Sequence, residues 1–256
     1  MNRITAKFEE LKKQGKKALI GYLTAGDPDV KTSERLMREA LANGVDILEI
    51  GVPFSDPTAD GPIIQAAGQR ALKAGTNLTQ ILRIAKNLRR SFDNPFILFS
   101  YANPLFSYGY EKICADAAKS GIDGFLVVDL PFEEAEELRK PMRANGLTFI
   151  QLIAPTTSPE RAMKLLTNAD GFVYYIMVKG VTGKRRHFDS GIGARVAKLR
   201  SFANIPVAVG FGISNASQGR AAAKHADAIV VGSALVEAAR NNRLKTFVRE
   251  LAGAVH

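Results

Sequence analysis

Short β-rich runs alternate with longer amphipathic ones along the whole chain, and this rhythm limits the fold more than any other feature. Eight runs have strand composition: 18–24, 46–52, 96–101, 124–129, 148–154, 171–178, 205–211 and 226–232. Between them, L-M-R-E-A-L-A, I-L-R-I-A-K-N-L, A-E-E-L-R-K-P-M and A-R-V-A-K-L-R space apolar residues by three and four, the mark of helices with one buried face. Near-continuous apolar strands separated by helices imply a parallel sheet covered by helices. Eight such units in 256 residues fit a closed (β/α)8 TIM barrel with extra N-terminal and loop helices better than an open sheet. No linker or shift of composition divides the chain, so residues 1–256 read as a single domain.

The barrel reading directs attention to strand ends, because sites in this fold lie at the C-terminal ends of the strands and in the loops behind them. The stretch L-E-I-G-V-P-F-S-D-P-T-A-D-G-P (48–62) covers the end of the second strand and its loop. Glu49 interrupts an apolar run. A buried carboxylate is costly, so its position points to catalysis over a structural ion pair. Asp60 suits either a turn or the chemistry, whereas Asp56 reads as a turn or cap.

Glycines mark a second subsite. G-F-G-I-S (210–214) ends the seventh strand, and V-G-S-A (231–234) ends the eighth. Loops at those places, each opening a helix, commonly cradle phosphate. Gly212, Gly232 and Ser233 are the candidate anion ligands. G-V-T-G (180–183) after the sixth strand reads as a loop able to close over a ligand. Lys179 lacks the apolar setting of a Schiff-base amine.

Composition narrows the function classes. The net charge of +10 asks for an anion, but the basic residues are dispersed and lack interleaved aromatics, so a phosphorylated metabolite fits better than nucleic acid. No apolar run reaches membrane-spanning length, and the N-terminus has no signal-peptide pattern. The one cysteine, Cys114, fits a reducing cytoplasm and reads as a buried structural thiol. The three histidines are scattered, with no metal-ligand spacing.

The 48–62 block continued through I-I-Q-A-A, with Y-A-N-P (101–104), D-L-P (129–131), G-V-T-G, G-F-G-I-S and V-G-S-A, resembles the tryptophan synthase α-subunit family from about Gly21 to Ala239. The resemblance implies a carbon–carbon lyase that reversibly cleaves indole-3-glycerol phosphate into indole and glyceraldehyde 3-phosphate. It implies no cofactor on this chain, and a β-subunit partner carrying pyridoxal phosphate in an αββα tetramer. Glu49 would move protons and Asp60 would face the indole nitrogen; Tyr174 would assist or simply pack. Tyr22, Ile64, Tyr101, Leu126 and Phe211 would wall the indole pocket. Thr182 would reach the substrate or Asp60, and Gly183, Gly212, Gly232 and Ser233 would hold phosphate. Asp129 would steady the Asp60 loop, while residues 53–57, including Asp56, and 103–108 would face the β subunit. Val128 stands where the family commonly has proline, and K-R-R-H (184–187) is more basic than its pattern. A stand-alone lyase of the same fold shares every motif; a basic anion- or nucleic-acid-binding barrel is the alternative from another class.

Overall fold

The computed structural model describes residues 2–167, 169–176, 192–201, 203–210 and 212–256. Its strands are β1 (Ala18–Thr24), β2 (Ile47–Gly51), β3 (Phe96–Ser100), β4 (Gly124–Val127), β5 (Thr148–Phe149), β6 (Gln151–Ile153), β7 (Val173–Ile176), β8 (Val207–Gly210) and β9 (Ala228–Val231). All pair in parallel, in the order β5-β4-β3-β2-β1-β9-β8-β7-β6. The two ends of that order, β5 and β6, are halves of one expected strand separated only by Ile150. The Ile150 N–H still donates to Phe125 O of β4 at 2.8 Å, so the sheet closes on itself through this residue. Eight strand positions therefore form a (β/α)8 barrel.

Side-chain alternation divides the core into two layers. Leu19, Leu48, Ile50, Leu98, Phe125 and Val209 face outward against the helices. Ile20, Ile47, Ile97, Leu126, Ile150 and Ala208 fill the barrel interior. The helices that pack outside include α2 (Val30–Ala42), α3 (Pro62–Lys73), α4 (Leu78–Arg89), α6 (Tyr110–Lys119), α7 (Glu136–Ala144), α11 (Ser233–Arg240) and α12 (Leu244–Val255). Several start where a side chain satisfies a free N–H group: Asp29 accepts from Thr32 N, and Asn77 and Gln80 form a reciprocal capping box. Cys114 is fully buried on α6, as its pattern implied.

The extra N-terminal helix, α1 (Arg3–Lys13), stoppers the N-terminal end of the barrel. Its Ile4, Phe8 and Leu11 join the interior layer, with the Phe8 ring 5.8 Å from that of Phe172. Arg3 and Arg89 both pair with the buried Asp123 carboxylate, at 2.9 and 2.8 Å, and the Phe96 N–H also donates to it at 2.8 Å. Three separate segments thus converge on one acid below the sheet, opposite the strand ends that carry the candidate site.

Candidate active site

Glu49 lies on β2 between Tyr22 of β1 and Ile97 of β3 in the sheet register. Strand alternation turns it into the barrel, because Leu48 and Ile50 face the outer layer. It is 1% exposed, and its Oε1 has no hydrogen-bond partner. Burial in this apolar setting pushes its carboxyl up to about 8, so the group is mostly protonated at neutral pH. A protonated acid held near neutrality can both give and take a proton.

Asp60 sits at the end of the β2–α3 loop, two residues before α3 begins at Pro62. Its carboxyl is raised by partial burial and drawn back by a hydrogen bond from Tyr101, settling at about 6. The two acids are therefore held in different states near pH 7, one protonated and one ionised. Tyr101 fixes the loop as well: its hydroxyl accepts from Ala59 N at 2.9 Å, and its ring lies 5.1 Å from that of Phe54. Gln65 of α3 donates to the Asp60 carbonyl at 2.9 Å. Asp129 accepts from Ala102 N at 2.7 Å, which secures the segment next to Tyr101.

Three tyrosines ring the acids. Burial raises the Tyr22 phenol well above its usual range, and the charges of Asp60 and Glu49 add to the effect. Tyr174 on β7 is raised by burial and then by Glu49, and Tyr101 by burial and then by Asp60. Each phenol stays neutral and available as a hydrogen-bond donor. Two glycines make room for them. A Cβ at Gly51 would fall 2.2 Å from the Tyr22 hydroxyl, and one at Gly210 would fall 2.3 Å from that of Tyr174.

Of the anion-loop candidates, Gly232 reaches the same cluster. Gly232 precedes α11, and a Cβ there would lie 3.6 Å from Ile64 and 3.7 Å from Tyr22. Ser233 is the first residue of α11, and Gly212 adopts a left-handed φ of 82° behind β8. Leu126 lies in the barrel interior. The fold thus brings Tyr22, Glu49, Asp60, Ile64, Tyr101, Tyr174 and Gly232 together. Thr182, Gly183 and Phe211, with Lys179 and the 184–187 run, lie outside the described residues. Sequence reasoning missed Thr24, whose hydroxyl donates to that of Tyr22 at 3.3 Å, and the space left by Gly51 and Gly210. A glycine at a strand end is a signal of close approach that points to both gaps.

A parallel barrel with two differently poised acids near its strand ends defines a (β/α)8 protein with a candidate acid–base site. The chain belongs to the tryptophan synthase alpha chain family, whose sequence profile matches residues 8–253, and is therefore an enzyme subunit. It is similar to the tryptophan synthase alpha chain of Geotalea uraniireducens (strain Rf4), with 47% identity over 93% of this chain and 89% of that one. The alpha chain of Citrifermentans bemidjiense is 44% identical over 100% of this chain and 96% of its own length. A solved structure from Aquifex aeolicus VF5 superposes with a TM-score of 0.92 at 44% identity, covering 100% of both chains. The aminoacrylate-bound form of tryptophan synthase from M. tuberculosis superposes with a TM-score of 0.92 at 32% identity, again covering 100% of both chains.

Proposed function

We propose that this chain is the lyase subunit that reversibly cleaves indole-3-glycerol phosphate into indole and glyceraldehyde 3-phosphate, working as one domain over residues 1–256. The observation that carries the reading is Glu49: a buried, largely protonated carboxyl with an unpartnered oxygen, which shares the neighbour Tyr22 with an ionised Asp60.

Indole leaves poorly as a C3 carbanion, so C3 must gain a proton before the carbon–carbon bond breaks. Glu49 supplies that proton. The positive charge that spreads to the ring N–H is stabilised by Asp60, kept anionic by its Tyr101 hydrogen bond. The Glu49 carboxylate then takes the proton from the side-chain hydroxyl. The aldehyde C=O forms as the C3–carbon bond breaks, and the bonding pair restores the aromatic ring. Glu49 ends as it began, so the cycle needs no cofactor on this chain. Gly212, Gly232 and Ser233 hold the phosphate, and Tyr22, Ile64, Tyr101 and Leu126 wall the indole. Tyr174 donates a hydrogen bond to Glu49 when that carboxyl is ionised.

The partner in this reading is a tryptophan synthase β subunit carrying pyridoxal phosphate, in an αββα assembly in the cytoplasm. Support comes from one face: Pro53 and, from α5 (Ala102–Tyr108), Pro104, Ser107 and Tyr108 border a single cavity of about 330 Å³. Phe106 beside it is 63% exposed, and Asp56 projects from the same loop as Pro53. No helix among the described residues is long and apolar enough to cross a membrane.

The test supplies indole-3-glycerol phosphate and measures indole, with and without added β subunit. Wild type should release indole, and Glu49→Gln should lose roughly 10²–10⁴-fold in turnover while still binding substrate. Retention of more than about a tenth of the turnover in that variant rules out the shuttle role. Equal activity with and without the β subunit would mean that the chain works alone.

A further inference from the structure

A second cavity, of about 310 Å³, opens on the outer side of the barrel between α2, α3 and the end of α11. None of the acids or glycines of the active site lines it. Its floor is apolar, formed by Leu23, Leu36, Val236 and Ala239. Its rim carries three guanidinium groups from three different helices or their ends: Arg35, Arg70 and Arg240.

The three are not equivalent. Arg70 is committed to Asp27 by two hydrogen bonds, at 2.7 and 2.8 Å, which makes it a fixed wall. Arg35 shares Glu39 at 3.3 Å from an exposed position. Arg240 forms no ion pair among the described residues. Arg70 and Arg35 thus each face a carboxylate, which leaves Arg240 as the rim cation with no charge partner among the described residues, over an apolar floor. A planar guanidinium fork matches a carboxylate, and an apolar floor rejects a bare inorganic ion in favour of a molecule with a hydrocarbon body.

We propose that this cavity is a binding site for a small organic carboxylate, its acid group held by Arg240 and Arg35 and its apolar body on Leu36, Val236 and Ala239. The site borders the active centre through β1. Thr24 lines the cavity, and its hydroxyl donates to that of Tyr22 at 3.3 Å. Arg70 lies on α3, the helix that follows the Asp60 loop. Occupancy therefore bears on two elements that hold the catalytic acids in place.

The test titrates the full chain with 3-phenylpropionate, followed by ligand-observed NMR, with 3-phenylpropanamide as the uncharged control. Saturable binding is expected with a dissociation constant on the order of 1 mM, the strength usual for so small a ligand. The amide should bind at least about tenfold more weakly, as should the carboxylate to Arg240→Gln, since each loses a charge-assisted pair. Ala239→Trp, which fills the floor, should abolish binding. Both Arg240→Gln and Arg35→Gln alter exposed side chains, so they decide the matter even if the tryptophan variant misfolds. The proposal fails if the acid does not saturate by roughly 20 mM. It fails equally if the amide binds as well as the acid. Binding that survives both Arg240→Gln and Arg35→Gln places the probe elsewhere and overturns it too.

Discussion

The hydroxyl of Tyr22 occupies the space that a side chain at Gly51 would need: a Cβ at position 51 would lie 2.2 Å from it. The two residues sit on neighbouring strands at the mouth of the barrel, and Glu49 is two positions before Gly51 on β2. Room for the aromatic wall is thus provided within the strand that carries the buried acid.

Gly51→Ala should displace Tyr22 and cost about 1–3 kcal/mol of stability, as overpacking commonly does. Indole formation should fall with it. Combined with Tyr22→Ala, the loss should be less than the sum of the two single losses, because one side chain is then absent. Urea unfolding of the four chains measures this; strict additivity would mean that the two residues do not meet.

The rate should depend on pH through both acids. With Asp60 near 6 and Glu49 near 8, kcat/KM should rise as Asp60 ionises and fall as Glu49 loses its proton. Asp60→Asn should remove the acid limb and leave the alkaline one in a profile of residual activity. A flat profile from pH 5 to 9 would contradict the pairing.

Glu49 also shapes stability. Its folded pKa, about 8, exceeds the ordinary value of 4.5, so between those values the folded chain holds a proton that the unfolded chain has lost. Stability from this group is therefore complete below about pH 4.5 and is lost progressively as pH rises to about 8. The total is several kcal/mol, at about 1.4 kcal/mol per unit. Glu49→Gln should be closest to wild type in stability near pH 4.5 and gain on it steadily up to pH 8. Unfolding curves at pH 5, 7 and 9 show whether the gap widens in that direction.

Ser233→Asp should weaken substrate binding far more than it slows turnover, since a carboxylate at the start of α11 repels a phosphate dianion. Isothermal titration with a glycerol-phosphate analogue reads the affinity. Unchanged affinity would place the phosphate elsewhere.

At the closed end of the barrel, Asp123→Ala should cost about 3–5 kcal/mol, because Arg89 is left partly buried without its partner. Substrate affinity of the folded chain should not change, because Asp123 is at the opposite end from the mouth. Thermal unfolding and titration together separate the two effects.

The barrel could be read from the sequence because parallel strands covered on both faces must be apolar throughout, and seven of the eight expected runs each contain one observed strand. The eighth, 148–154, is divided at Ile150, a local break that composition does not record. Residues 103–108, which the resemblance alone singled out, lie in α5, one of the expected loop helices, where Pro104 falls in the first turn and is tolerated. Glu49 stood out as a lone charge within an apolar run, and the glycine pair behind the last strands stood out by position. The sealing of one barrel end by the expected N-terminal helix, and the Arg35, Arg70 and Arg240 rim, could not be read. Each joins residues far apart in the chain or on faces that only the closed barrel brings together.

The stopper has a kinetic consequence. With Ile4, Phe8 and Leu11 sealing one end, the barrel formed by the described residues is a blind well, and the proposed route for substrate and product to Glu49 is the opposite end, the mouth. While that mouth is filled, the proton on Glu49 is isolated from the bulk. Under the proposed mechanism, the proton taken from the substrate hydroxyl should then stay on the enzyme until product departs, so exchange with deuterated water should keep time with product release rather than with bond cleavage.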